Sequence, residues 1–480
     1  MDPIHLVLAG MSPGPRARSR SRSGRHVGLQ AWESLESRAM FSAGSLDSSF
    51  GSGGKSLAAF DLGGGNTDWA QAMTVDKSGR TVVVGRARHA DGNDDFAIAR
   101  FRADGRLDSS FSGDGKVTIR FDLGGANKDE ALAVAIDSKG RIVVGGYAQT
   151  AGQGDYDFAA ARLLPNGRLD KSFDKDGTMT IHGFDPSARS DDRVSDISID
   201  KKDRIILVGQ VSKPSGTKDK DFGFARLTTA GRLDTSFGSG GLHRIDFAEG
   251  ADDWAAAVAI DTGGRIVVAG TVWVGYNGRY DFGVVRLLAT GVPDSSFSWQ
   301  GKRTIHFDLG GDDDITADVA LDKQGRILVA GTVDRRSDMD DRDMAVARLM
   351  ADGRMDDSFG IEGKTVIPFD YGGTLEDRAT GLQVDSLGRI VVAGIVTRDF
   401  SGNTDLAVAR LTANGFLDTA FGSGSGRTTV AFDYGGSAPF RHAELSAGLA
   451  IDKKGRIIVA GTTKHFADAD WDFVVATFRS

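Results

Sequence analysis

Cysteine is absent from all 480 residues, so the chain builds no disulfide, thiolate metal centre or thiol nucleophile. Such a chain is compatible with life outside the cytosol. Proline is scarce, 9 residues against 65 glycines, which points to many tight turns rather than an extended proline-rich polymer. No apolar run approaches the roughly 18 residues that cross a bilayer as a helix. The eight histidines are scattered, and no two are spaced as a metal pair. H-E-x-x-H and G-x-S-x-G are missing. Gly-Lys-Ser at 54–56 and Gly-Lys-Thr at 363–365 lack the earlier P-loop glycine, because Ser49 and Ser358 stand in its place. The linear signatures of zinc peptidases, α/β-hydrolases and P-loop NTPases are thereby excluded.

The formal charge is −8, unevenly spread. Residues 1–42 hold six Arg against Asp2, Glu33 and Glu36, a balance of +3, which leaves −11 for the rest. A body of that sign repels a phosphate backbone, so nucleic acid is not the expected partner. Residues 12–25 read SPGPRARSRSRSGR and show no apolar period. Residues 1–42 are therefore set apart as a basic disordered leader, and 43–480 as the folded domain.

What fills that domain is one phrase repeated seven times: an apolar strand, an Asp, a turn ending for the most part in Gly-Arg, and a second apolar strand. AVAIDSKGRIVVGG at 133–146 and AVAIDTGGRIVVAG at 257–270 are typical. The Asp falls at 76, 137, 200, 261, 322, 385 and 452, at intervals of 61, 63, 61, 61, 63 and 67. That spacing is too long for ankyrin, tetratricopeptide or leucine-rich repeats. A third apolar run follows (DFAIARF at 95, DFGFARL at 221), then a turn such as DGRLDSSF with a Phe to plug the core, then a short fourth run such as KRTIHF at 302.

Four apolar runs per unit predict a sheet buried on both faces, the situation of a propeller blade. The units run approximately 46–106, 107–168, 169–232, 233–292, 293–354, 355–416 and 417–480. The first fourth-type strand, 55–60, stands alone, whereas the last unit stops after its third strand. The expected fold is thus an all-β, seven-bladed β-propeller of four antiparallel strands per blade, closed by the N-terminal strand completing the last blade.

The repeated LDSSFG, AVAID-GRIVVAG and DFAVARL phrases resemble the delta-60 repeat family, bacterial propellers related in pattern to the NHL type, over residues 46–480. The resemblance implies the fold and commonly secretion, but no general catalytic activity. Leu35-Glu36-Ser37-Arg38-Ala39-Met40-Phe41-Ser42 resembles the LEPR-x-L-L motif of planctomycete surface proteins, with Ser37 in place of Pro and Met40-Phe41 in place of the two Leu. It implies an exported protein, extracellular or at the cell surface.

Calling the strands of a blade A to D, the D-to-A and B-to-C loops share one face. The seven D-to-A loops are net negative, whereas the A-to-B turns, with Arg80, Arg141 and their equivalents, are net positive. Asp312-Asp313-Asp314 is the densest acidic point and the candidate metal site, suited to a hard ion such as Ca²⁺. No other cofactor is expected. Carboxylates present in every unit are read as serving the backbone. Departures from the repeat are the better functional candidates: Trp69, Trp254, Trp273, Tyr276 and Trp471 are candidate ligand-binding residues, beside carboxylates, for a glycan or protein partner. The expected role is a non-enzymatic, monomeric binding or surface-assembly scaffold. The alternative is a carbohydrate-active hydrolase or lyase at the channel mouth, which requires two carboxylates, or a carboxylate and a His, converging in the pore and unmatched by other blades.

Overall fold

The computed structural model describes residues 42–480 apart from 64–66, 125–126, 151–153, 185–189, 214–218, 248–249, 276–278, 312, 337–340, 372–375, 400–402, 433–443 and 465–470. The leader, Tyr276 and Asp312 therefore lie outside the described residues, Ser42 of the leader excepted.

Seven four-stranded antiparallel sheets make the seven blades. Blade 1 shows the plan, with A at Trp69–Val75, B at Thr81–Arg88, C at Asp94–Phe101 and D at Lys116–Ile119. B and C are rich in Val, Ile and Ala and buried along most of their length, since both faces of each sheet pack on neighbouring blades. Each blade-to-blade space is one apolar cluster, such as Phe282, Val284, Phe297 and Val329 between blades 4 and 5. The predicted plug Phe111 is fully buried, as are Phe173, Phe237, Phe297, Phe359 and Phe421.

The repeated carboxylates have defined work. Asp76 Oδ1 accepts the backbone N–H groups of Ser78 at 2.8 Å and Arg80 at 2.9 Å, while its Oδ2 takes the Arg80 Nε at 2.6 Å. Gly79 turns the chain at φ 78°. Equivalent carboxylates from Asp137 to Asp452 repeat the arrangement. On the next turn of the same face, Arg100 is buried and gives its Nε to Asp108 at 2.8 Å, one terminal nitrogen to Ser110 at 3.2 Å and the other to the Pro165 carbonyl of blade 2 at 2.5 Å. Its guanidinium lies 4.5 Å over the Phe111 ring. Arg162, Arg226, Arg286 and Arg348 strap the following blades in the same way.

Closure is as expected. Lys55–Ala58 is the D strand of the last blade, with Lys55 opposite Ala476 and Ala58 opposite Phe473. Thr477 replaces the strap arginine there, and Arg456 reaches both Asp47 and the Ala103 carbonyl of blade 1, each at 3.3 Å. Every A strand carries a bulge in its middle, as between Ala70 and Ala72. The A strands surround a central channel of about 560 Å³.

Candidate functional site

The face of D-to-A and B-to-C loops holds two sets of buried carboxylates. The first precedes each A strand and pins backbone: Asp129 accepts N–H groups of Phe121 and Gln149, and Asp253 those of Phe247 and Trp273. Asp314 does the same for Phe307, and Asp377 for Phe369. Burial outweighs these hydrogen bonds and pushes Asp129 up to about 6, and Asp314 and Asp377 up to about 7. Of the predicted metal-binding acids, Asp314 is thus engaged by the backbone, while Asp313 is half-buried beside Tyr280.

The second set opens the C strands, and its partner varies among blades, with Asp281 of blade 4 paired with His306. Asp95 pairs with His89 at 2.7 Å and Arg120 at 2.9 Å, and Asp157 with His182. Asp221 pairs with Arg244 at 3.2 Å, Asp343 with Arg335 at 3.1 Å and Asp405 with Arg398 at 3.3 Å. Among the described residues, two groups could offer three carboxylates to one cation, their ligand atoms lying within 4.8 Å: Asp221, Asp246 and Asp253, and Asp341, Asp343 and Asp370. Neither forms a run in the sequence. Lys213 already contacts Asp246 at 3.0 Å in the first.

The candidate tryptophans are half-buried and stacked. Trp69 and Trp471, from the two blades at the closure, have ring centroids 5.8 Å apart. In blade 4, Trp254 begins the A strand, Trp273 nears the end of B and Tyr280 opens C. Trp273 is paired directly opposite Tyr280, so the three rings meet, with centroids 5.0 Å (Trp254 to Tyr280) and 5.3 Å (Trp273 to Tyr280) apart. Burial and the charges of Asp252, Asp313 and Asp253 raise the Tyr280 hydroxyl. Candidates from both predicted groups, aromatic and acidic, therefore come together here.

The sequence reading missed Asp196 and Asp318. Both line the channel at the A-strand bulge, where the other blades have Ala72, Ala133, Ala257, Gly381 and Gly448. Asp196 accepts N–H groups of Ile197 at 2.7 Å and, from the next blade, Val258 at 2.8 Å. Asp318 does likewise with Val319 at 2.7 Å and Leu382 at 2.6 Å. Enclosure pushes both up to about 7, and the charge of Asp196 adds to the effect on Asp318. The available signal was a carboxylate at the one A-strand position where the other units carry Ala or Gly.

Fold and closure define the class as a seven-bladed β-propeller. Residues 77–111, 140–173, 264–297, 325–359 and 388–421 match the family described as "Domain of unknown function (DUF5122) beta-propeller". Each match runs from an A-to-B turn to a plug phenylalanine, so five of the seven blades carry the repeat of that family, consistent with a delta-60 type of propeller. No curated protein matches the chain. Several solved structures are similar to it. A PL25 ulvan lyase bound to a -[GlcA(1-4)Rha3S]- saccharide is 12% identical, with 90% of this chain and 94% of that one covered and a TM-score of 0.45. Polysaccharide lyase Uly1 is 11% identical, with 85% and 89% covered and a TM-score of 0.46. Drosophila Plexin A, in complex with Semaphorin 1b, is 10% identical, with 90% and 88% covered and a TM-score of 0.45. Likeness of this degree says nothing of what this chain binds.

Proposed function

We propose that this propeller is a non-enzymatic, exported binding scaffold whose ligand sits on the acidic loop face, at the aromatic cluster of blade 4. One observation carries the reading: Trp254, Trp273 and Tyr280 converge beside Asp252 and Asp313. Half-buried rings of this kind offer both apolar area and a polar rim, the composition of a recognition site. The test is a thermal-shift screen of glycans, amines and divalent metals on the full chain, read alongside tryptophan emission. A ligand is expected to raise the melting temperature and shift the emission of the wild type, with both responses lost in Trp273→Leu. A ligand acting equally on wild type and variant would move the site elsewhere. Export rests on the resemblance of Leu35–Ser42 to a surface-protein motif, and cell fractionation tests it.

A carbohydrate-active enzyme is the second reading, favoured by the unmatched pair Asp196 and Asp318. Each is the fourth of seven strand residues, so at about 3.3 Å per residue it stands roughly 10 Å from either end of its strand. A polymer would have to thread the channel to reach them, which ranks this reading below binding. Turnover of a polysaccharide panel that disappears in Asp196→Asn and Asp318→Asn would reverse the order.

A further inference from the structure

Among the described residues four groups of Trp or Tyr rings crown this face, and three already hold a cation of the protein itself, Arg398 lying 4.5 Å over Tyr371 in one of them. The Arg86 guanidinium lies 4.3 Å over Trp69, and Lys464 lies 5.6 Å over the partnered Trp471. Tyr147 and Tyr156, 5.0 Å apart, share Arg193 at 4.6 and 4.5 Å. Trp254, Trp273 and Tyr280 make the fourth group, and among the described residues no Lys or Arg is found over any of these rings.

The surrounding acids are also unevenly used. Asp253 spends both oxygens on the backbone of Phe247 and Trp273. Asp252 receives the Lys220 N–H at 2.9 Å. Asp313 Oδ1 is buried and has no hydrogen-bond donor. A buried carboxylate oxygen without a donor is costly, and rings whose negative faces lack a cation lie beside it.

We propose that the blade 4 cluster binds an N–H-bearing organic cation, a primary alkylammonium or a guanidinium. The rings of Trp254, Trp273 and Tyr280 take its charge, and Asp313 accepts its hydrogen bond. This rests on the binding reading above and names its ligand class. The donorless oxygen selects N–H-bearing cations over quaternary ones, because a charge-assisted hydrogen bond adds to the ring attraction. Such a group reaches the site as a free amine or as a Lys or Arg side chain of a peptide.

The experiment is an NMR titration of tryptophan indole N–H signals in the full chain. Probes are n-butylammonium, ethylguanidinium, tetramethylammonium, neutral butan-1-ol and a short Gly-Lys-Gly peptide. Butylammonium and ethylguanidinium are expected to bind at least tenfold more tightly than butan-1-ol and severalfold more tightly than tetramethylammonium. Asp313→Asn should remove the preference over tetramethylammonium, and Tyr280→Leu should weaken all cations. Thermal melts of both variants confirm that they fold. For a variant that does not, the wild-type ranking of the four small probes decides alone. A tighter peptide than free amine would support the same site and assign the source to a side chain. Equal binding of butan-1-ol and butylammonium would overturn the cation class while leaving a binding site in place. Silence of the Trp254 and Trp273 signals to every probe, and to a panel of neutral sugars added to the same sample, would overturn both.

Discussion

The two faces of this propeller solve the same problem, how to bury carboxylates between blades, in opposite ways. On the A-to-B and C-to-D side one solution recurs: the turn Asp of every blade grips its own backbone, and in blades 1 to 5 a buried Arg straps its blade to the next. On the D-to-A and B-to-C side the C-strand Asp takes a basic partner that varies among blades, from His89, His182 and His306 to Arg244, Arg335 and Arg398. Uniformity marks what the fold needs of every blade. Divergence marks where individual blades are free to differ, and there the aromatic cluster of blade 4 sits. Substitutions on the copied side should therefore cost stability without touching ligand, and those on the divergent side the reverse.

The largest expected effect concerns the closure. Removing residues 42–60 takes away the last blade's outer strand with buried Phe50 and Phe60. With each buried Phe worth about 3–5 kcal/mol, the loss is on the order of 6–10 kcal/mol. A denaturation midpoint equal to that of the full chain would sink the closure argument. Next comes a strap. Arg226→Ala leaves Asp234 with Ser236 and the more distant Arg204, 3.6 Å away, and Phe237 without its cation, and should cost about 3–5 kcal/mol by chemical denaturation. If the same variant also altered binding of butylammonium, the division of labour between the faces would fail.

Much of this was legible in the sequence. The turn Asp, its Gly-Arg and the plug Phe are local, lying within one unit, so periodicity alone exposed the blade and the unpaired fourth strand exposed the closure. The strap was not legible as an interaction, since Arg100 meets Pro165 across 65 positions, although the regular Arg-to-Asp spacing was visible. The site was half legible. Trp254, Trp273 and Asp313 were singled out, but Tyr280 joins them through strand register and Asp252 through a loop, neither of which leaves a linear motif. Asp221, Asp246 and Asp253 cluster only once three separate segments fold together.

A pH-dependent effect sharpens the comparison at the axis, which belongs to neither face. Asp196 and Asp318 hold their protons up to about pH 7, whereas an unfolded aspartate loses its proton near 3.9. Between those values the fold binds more protons than the unfolded chain. Stability from this pair is therefore fully present below about pH 4 and is lost as pH rises toward 7, by up to about 1.4 kcal/mol per pH unit for each carboxyl. Asp196→Asn/Asp318→Asn keeps a neutral side chain and does not titrate. Melting curves from pH 5 to 7 should show the wild type losing ground to this variant, and a constant difference would contradict the shift.

The smallest effect tests whether the copied side depends on buried charge or on charge as such. Arg354 and Asp352 are paired at 2.9 Å on a C-to-D turn of that face, with side chains 80% and 45% exposed. The Arg348 strap lies nearby in sequence with the same kind of groups, yet it is 1% exposed and bound to Asp356, Ser358 and the Ala413 carbonyl. In water the exposed pair gains little Coulomb energy and is screened by salt, so Arg354→Ala should shift stability by no more than about 0.5 kcal/mol. Arg348→Ala, by contrast, should match Arg226→Ala. A large effect at Arg354 would mean that charge at the turn surface, rather than its enclosure between blades, holds this face together.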